Sequence, residues 1–170
     1  MQPRKWWRRR RARREDEMQS IDREVNMDTE TMGRVNVRAK IENLSDLHHV
    51  ETQRIPAEQV RCLEVDDALV DTGATLLSMP KNLIERLGLK PVRTRKAMTS
   101  SGPVTIQMYG TVRLTIQERE CNTDVTELPD ECPVLIGQIP LEQLDFIVDL
   151  QGRRLIGNPA HGGEQMIELY

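Results

Sequence analysis

The chain has 170 residues, of which 38% are hydrophobic and 3% aromatic, and its formal net charge is −3. This length fits one domain of about 100–150 residues with appendages and argues against a two-lobed enzyme. Its apolar runs are a few residues long, whereas a bilayer-spanning helix needs roughly 20, so no transmembrane segment is expected. Because the sequence contains one Phe, the core must consist mainly of aliphatic side chains.

The N-terminal region has a strongly asymmetric charge. Residues 1–14 contain eight basic residues and no acidic ones, whereas residues 15–32 contain seven acidic residues and one basic residue. Blocks of like charge repel each other and bury little apolar surface, so residues 1–32 are predicted to form a disordered tail. A second interpretation gives residues 4–14 a weak contact with nucleic acid or an anionic surface, through phosphate neutralisation and stacking of the two Trp rings.

The cysteines and histidines point to neither a disulfide framework nor a metal site. The sequence has three cysteines without paired spacing, which are Cys62, Cys121 and Cys132. An odd, unpaired set is typical of buried thiols in a reducing compartment, so we expect a cytoplasmic protein. His48 and His49 lack further ligands nearby and are interpreted as solvated loop residues. No metal or cofactor is expected.

The first half of the domain reads as strands joined by a long loop. Apolar and polar residues alternate over 35–42, which predicts a half-buried strand. Residues 45–59 show no period and contain Pro56, which indicates a loop. An extended run over 60–70 follows this loop.

A hairpin and two further strands are predicted in the middle of the chain. Residues 93–99 and 104–109 flank a Ser-Ser-Gly-Pro turn at 100–103. Alternation over 112–117 and a weaker pattern over 123–128 predict the two strands that follow. The hairpin also carries three basic residues, Arg93, Arg95 and Lys96. They are interpreted as a solvated positive face, with attraction of acidic substrates as the alternative.

Two short helices are predicted within this β-rich pattern. Each begins with Pro in its first turn, one spanning 80–87 and the other 140–145. Short strands over 146–149 and 154–156 follow the second helix. The pattern as a whole predicts a small all-β domain over residues 33–157, with two helical inserts and a C-terminal tail over 158–170.

The most informative stretch is an apolar strand that leads directly into an Asp-Thr-Gly-Ala sequence. Ala68, Leu69 and Val70 are followed by Asp71 and the small residues of a sharp turn. Because glycine permits backbone conformations that other residues resist, such a turn can present the carboxylate at the bottom of a cleft. This pattern resembles the signature of the retropepsin-like aspartic proteases, the retroviral type of this enzyme class, and particularly their single-domain bacterial and cellular members.

Three further features strengthen the resemblance, which covers residues 34–156. The apolar-apolar-Gly segment at 134–137 is followed by a short helix, as in the family. The hairpin with its tip at 100–103 lies about 30 residues after Asp71, where the family places the flap that closes over substrate. The helix at 80–87 soon after the turn is similar to that of bacterial and cellular members. The resemblance implies a closed β-barrel or sandwich.

The resemblance also assigns roles to particular residues. It implies that Asp71 is catalytic and that the active-site loop consists of Thr72, Gly73 and Ala74. It implies substrate contacts from Thr75, Ser100, Ser101, Gly102, Ile136 and Gly137. Viral members carry an Asp at the position of Thr75 and usually an Arg at that of Gln138. Their substrate contacts and dimer strength therefore do not transfer to this chain.

One Asp-Thr-Gly per chain has a consequence for assembly. Aspartic-protease chemistry uses two carboxylates that share a proton around one water molecule. The sequence contains a single Asp-Thr-Gly, so Asp71 is expected to meet Asp71 of a second chain in a homodimer. The predicted function is an aspartic endopeptidase acting on a peptide or protein substrate. The alternative is a catalytically silent dimeric module of the same fold that binds peptides or acts as an adaptor.

Overall fold

A computed structural model describes residues 33–99 and 102–167. The strands are β1 (Asn36–Asn43), β2 (Cys62–Val70), β3 (Leu77–Pro80), β4 (Pro91–Thr99), β5 (Gly102–Ile116), β6 (Arg119–Leu128), β7 (Leu135–Ile136), β8 (Phe146–Asp149) and β9 (Arg154–Gly157). The α-helices are α1 (Leu44–Glu51), α2 (Lys81–Arg86) and α3 (Gln138–Gln143). The predicted tail over 1–32, including its proposed contact site at 4–14, lies outside the described residues.

The architecture is mostly β, which confirms the predicted class. Within the described ranges, seven strands form one mixed sheet in the order β1-β2-β7-β3-β6-β5-β4. A further pairing of β1 with β5 closes six of these strands into a ring, and β4 lies outside the ring on β5. Among the strands that the structure describes, the remaining two, β8 and β9, pair only with each other.

Aliphatic side chains fill the inside of the ring, as the composition requires. Val37, Ala39 and Ile41 of β1 are buried while the residues between them face outward, which confirms the predicted alternation. A strand with this period of two can bury one face and hydrate the other. The single Phe, Phe146, joins the same cluster at 8% exposure.

Strand β7 occupies the position that organises the functional site. It pairs in parallel with the end of β2, placing Val70 beside Ile136. On its other side it pairs antiparallel with β3, where Ser78 lies beside Leu135. The connection from β2 to β3 spans residues 71–76, so β7 lies between the two strands that this loop joins.

Helix α1 corrects the prediction of a loop over 45–59 and adds a third α-helix to the two expected. Asn43, the last residue of β1, caps the helix, because its Oδ1 accepts the backbone N–H of Ser45 at 2.9 Å and of Asp46 at 3.2 Å. The Asp46 carboxylate also binds the Arg61 guanidinium at 2.6 and 2.7 Å, and this bond lowers the pKa of Asp46. Because Asp46 and Arg61 are 15 residues apart, the local hydrophobic pattern gives no information about this contact.

The other predicted elements are found with small shifts. The helix expected over 140–145 begins two residues earlier, at Gln138, and Gly137 takes the cap position before it. A proline three residues into a helix is tolerated because no intrahelical bond is lost there. Strand β8 has the predicted bounds, and β9 extends the predicted strand to Gly157.

Residues 158–166, part of the expected C-terminal tail, make specific contacts with the body. A 3₁₀ turn spans Pro159–His161. Asp145, which directly follows the end of α3 and its cap, accepts hydrogen bonds from Asn158 and from the amide of Met166. The Arg119 guanidinium donates to the carbonyl oxygen of Gly163. These bonds place the segment against α3 and β6.

The helices and cysteines bear on two earlier expectations. No helix in the described part of the chain is long and apolar enough to cross a membrane. All three cysteines are free thiols, but Cys62 is exposed, so the expectation of buried thiols is wrong for that residue. Cys121 is partly buried, and this burial raises the pKa of its thiol to about 11.

Candidate active site

Asp71 is held at the carboxyl end of β2 by the neighbouring strand β7. The amide of Leu69 donates to Val134 O at 2.8 Å, and the amide of Asp71 donates to Ile136 O at 3.0 Å. The parallel hydrogen-bond pattern therefore continues one residue beyond β2. Because alternate residues of a strand share a face, the Asp71 side chain lies on the same face as Leu69.

A tight turn follows Asp71 and orients its carboxylate. The amide of Gly73 donates to Asp71 Oδ1 at 2.9 Å, and the amide of Ala74 donates to the Asp71 carbonyl oxygen at 3.1 Å. Such a turn is a known property of Asp, whose short side chain can accept from the backbone two residues onward. Asp71 is half-buried, while Thr72 and Gly73 are exposed. The turn thus presents the carboxylate at an open surface.

The beginning of α3 fixes the far side of the loop. The amide of Gln138 donates to Ala74 O at 2.8 Å, and that of Ile139 donates to Thr75 O at 3.0 Å. Gly137 packs so closely that a Cβ there would lie 2.5 Å from the carbonyl oxygen of Leu76. This contact leaves no room for any side chain at position 137.

The structure therefore brings most of the predicted site residues together. The loop residues 71–75 lie against Ile136 and Gly137 through the bonds described above. Position 138, where viral members usually carry Arg, contributes its backbone amide to this contact, and its side chain instead donates to Glu142 at 2.7 Å. Backbone hydrogen bonds thus hold this loop, in which Thr75 and Gln138 stand where viral members of the family carry Asp and usually Arg.

The predicted hairpin is confirmed as β4 and β5, paired from Pro91 with Tyr109 to Thr99 with Gly102. Strand β5 pairs with β6 only from Met108 onward. Apart from the turn that connects the two strands, residues 93–107 therefore form a two-stranded arm. Gly102 has a φ of +114°, a conformation that favours glycine, at the tip of this arm. Ser100 and Ser101, two of the predicted substrate-binding residues, lie outside the described residues.

A row of paired residues connects this arm to Asp71 across the sheet. Partners in adjacent strands share a face, and the pairings run in sequence through Leu69, Leu135, Ser78, Thr126, Met108 and Arg93. The core lies on the opposite face, which carries Ile136, Leu77 and Val125. Asp71 and the row therefore lie on the face of the sheet that is turned away from the core. We call this face the outer face.

Comparison with known proteins finds a family match for part of the chain. Residues 64–143 match the family described as gag-polyprotein putative aspartyl protease. The matched family is one of retropepsin-like aspartyl proteases. The matched range contains the Asp71 turn, the hairpin, β7 and nearly all the structure that positions them. None of the curated proteins compared matches the chain.

Two polar contacts were not expected from the sequence. The Tyr109 hydroxyl donates to the Glu127 carboxylate, which raises the pKa of Tyr109 to about 12. His161, in the expected C-terminal tail, has its Nδ1 2.7 Å from Asp145 Oδ2. Both contacts join residues at least 16 positions apart, so only the fold brings the partners together.

Proposed function

We propose that the protein is an aspartic endopeptidase whose active site contains Asp71 from each chain of a homodimer. The observation that carries the proposal is the placement of Asp71. Its amide is fixed by Ile136 O at 3.0 Å and its carboxylate by the amide of Gly73 at 2.9 Å. This arrangement lies at an open surface, within the range that matches an aspartyl protease family. The chain has no second Asp-Thr-Gly, so the partner carboxylate comes from another copy.

The two carboxylates would hold one water molecule and one proton between them. The ionised carboxylate removes a proton from the water as its oxygen adds to the scissile carbonyl carbon, and the protonated carboxyl stabilises the developing oxyanion. Collapse of the tetrahedral intermediate breaks the C–N bond and transfers a proton to the leaving amine.

The loop residues have roles consistent with their exposure. Thr72 is exposed beside Asp71, and in the proposed dimer its hydroxyl would bond across the two-fold axis to the partner's loop. Thr75, Ile136 and Gly137 would border the bound peptide, because they surround the Asp71 turn. The tip residues Ser100, Ser101 and Gly102 would cover the peptide from the flap.

The β8–β9 hairpin supports association of two chains. In the described part of the chain these two strands pair only with each other, so their outer edges have backbone groups to offer to a further strand. Ile147 is 42% exposed and Leu150 is 60% exposed on and beside β8. Docking of the same hairpin from a second copy would extend the sheet and cover these side chains.

Replacement of the predicted catalytic carboxylate tests the activity. We expect the wild-type chain to cleave members of a peptide library between about pH 4 and about pH 7, and Asp71→Asn to reduce kcat/KM by about a thousandfold or more. Asp67→Asn is the matched control, because Asp67 is an exposed carboxylate on β2, the strand that leads to Asp71. Cleavage products are quantified by mass spectrometry.

The outcomes separate the two functions considered. Equal cleavage by wild type and Asp71→Asn contradicts the proposal. Peptide binding without cleavage that survives Asp71→Asn supports the catalytically silent module instead. The cytoplasmic location and the contact of residues 4–14 with nucleic acid or an anionic surface stay predictions from the sequence.

A further inference from the structure

The strand register separates the three basic residues of the hairpin onto two faces. Arg93 lies opposite Met108 and Arg95 opposite Ile106, whereas Lys96 lies opposite Thr105 on the alternate face. Because Met108 is a member of the row on the outer face, Arg93 and Arg95 lie on the face that carries Asp71. The positive face expected from the sequence is therefore two arginines on this side, without Lys96.

Only one of these two arginines is left without an acidic partner. The Arg93 guanidinium donates to Asp124 Oδ2 at 2.8 Å, and Asp124 Oδ1 accepts from the Thr111 hydroxyl at 2.9 Å. Arg95 is exposed and has no ion-pair partner among the residues that the structure describes. Its charge is therefore available to a ligand on the outer face.

On this face, Arg95 lies between Arg93 toward the base of the hairpin and apolar residues toward its tip. The next cross-strand pair toward the hairpin tip is Ala97 with Val104, and the partner of Arg95 itself is Ile106. Apolar neighbours offer the guanidinium no competing acceptor, and a bound peptide would displace water from around it. Both effects strengthen a charge-assisted hydrogen bond to a carboxylate. The Asp124 carboxylate on this face is already bound by Arg93.

We propose that Arg95 is a specificity-determining residue that selects substrates with an Asp or Glu side chain near the scissile bond. The inference rests on the proposed endopeptidase function and names its substrate class as acidic peptides. The planar guanidinium binds a carboxylate through two parallel hydrogen bonds, which a neutral amide side chain cannot match. The apolar pair of Ala97 and Val104 would contact the neighbouring residues of the peptide.

Cleavage profiling of charge variants tests this assignment. A peptide library is first digested with wild type to find the position near the scissile bond at which Asp or Glu is preferred. For wild type, Arg95→Glu and Lys96→Glu, kcat/KM is then measured on two peptides that carry either an acidic residue or Lys at that position, and the ratio of the two values is compared. We expect the wild type to prefer the acidic peptide by about fivefold, the upper end of the range for one exposed charge pair. Arg95→Glu should lower this ratio by about tenfold, because it replaces attraction of the acidic peptide with repulsion and attracts the lysine-containing one. Lys96→Glu makes the same change in net charge on the opposite face and should leave the ratio unchanged.

The possible results distinguish this inference from the function on which it rests. Cleavage that depends on Asp71 but shows no acidic preference overturns the role of Arg95 and leaves the endopeptidase intact. An equal effect of Lys96→Glu also overturns it, because the preference would then reflect net charge alone. Absence of any cleavage that depends on Asp71 overturns the proposed function and this inference together.

Discussion

Gly137 shows how a single residue fixes the geometry of the loop around Asp71. A Cβ at this position would lie 2.5 Å from Leu76 O and 2.7 Å from both Ala74 O and Leu76 N. These are backbone atoms of the loop, so they cannot move aside as a flexible side chain would. The φ of −82° at Gly137 is accessible to any residue. The requirement for glycine is therefore steric, because the chain between β7 and α3 passes very close to the backbone of the loop.

Substitution of Gly137 by alanine should destabilise the fold. We expect Gly137→Ala to lower the free energy of unfolding by about 1–3 kcal/mol, the usual cost of overpacking, and to displace the loop that carries Asp71. Gly110→Ala is the matched control, because a Cβ at Gly110 would meet nothing within 4 Å. Urea denaturation followed by circular dichroism measures both, and an unchanged midpoint for Gly137→Ala would contradict the steric argument.

At the scale of elements, one carboxylate ties the C-terminal segment to the body. Asp145 is 8% exposed, and its oxygens accept from Asn158 Nδ2 at 2.9 Å and from the amide of Met166 at 3.1 Å. His161 Nδ1 lies 2.7 Å from Oδ2. These bonds, above all the one with His161, lower the pKa of Asp145. The ionised carboxylate is therefore the form that holds segment 158–166.

This lowered pKa gives the attachment a predictable pH dependence. A carboxyl whose pKa is lower in the folded state stabilises the protein above its unfolded pKa, and this contribution is lost as the pH falls below about 4. We therefore expect Asp145→Asn to destabilise the protein at neutral pH and to approach wild type in acid. At neutral pH, hydrogen exchange of residues 158–166 should also be faster in the variant.

A second aspartate provides the control for that experiment. Asp149 also has a lowered pKa, because its carboxylate accepts the amide of Gly152 at 2.8 Å within the β8–β9 turn. Asp149→Asn should show the same direction of pH dependence without faster exchange in residues 158–166. If both variants loosen that segment equally, Asp145 has no special role in holding it.

At the scale of the whole molecule, the ring of strands completes one core but only half of the proposed site. The ring of β1, β2, β7, β3, β6 and β5 leaves the Asp71 turn at its surface. The two-stranded arm over 93–107 and the β8–β9 hairpin have few partners of their own in the described part of the chain. Both features are consistent with surfaces that a second copy and a substrate complete.

A mixing experiment tests whether two chains form each site. When wild type is equilibrated with a threefold excess of Asp71→Asn, random pairing leaves about one quarter of the wild-type chains in fully wild-type dimers. We expect cleavage per wild-type chain to fall to about that fraction of its unmixed value. Solution mass measured at several concentrations is the companion readout. Unchanged activity per wild-type chain, with a monomeric mass, would contradict the shared site.

The sequence alone determined the features that depend on local pattern. Alternation predicted β1, and the Asp-Thr-Gly motif after an apolar strand predicted where the carboxylate-bearing turn lies. Both depend on residues a few positions apart, for which period and turn chemistry are sufficient. The same local reasoning predicted a loop where α1 forms, because its Asn43 cap and its Asp46–Arg61 ion pair add stability that hydrophobic periodicity does not report.

Only the tertiary structure decided which distant residues meet. The insertion of β7 between β2 and β3 makes Gly137 sterically obligatory beside the loop. The strand register places Arg95 and Lys96 on opposite faces of the hairpin, and the fold brings Asp145 to His161. Each of these arrangements depends on how strands pair across the sheet or how segments pack on it. Such pairings arise from the free energy of the whole fold, which no short stretch of sequence contains.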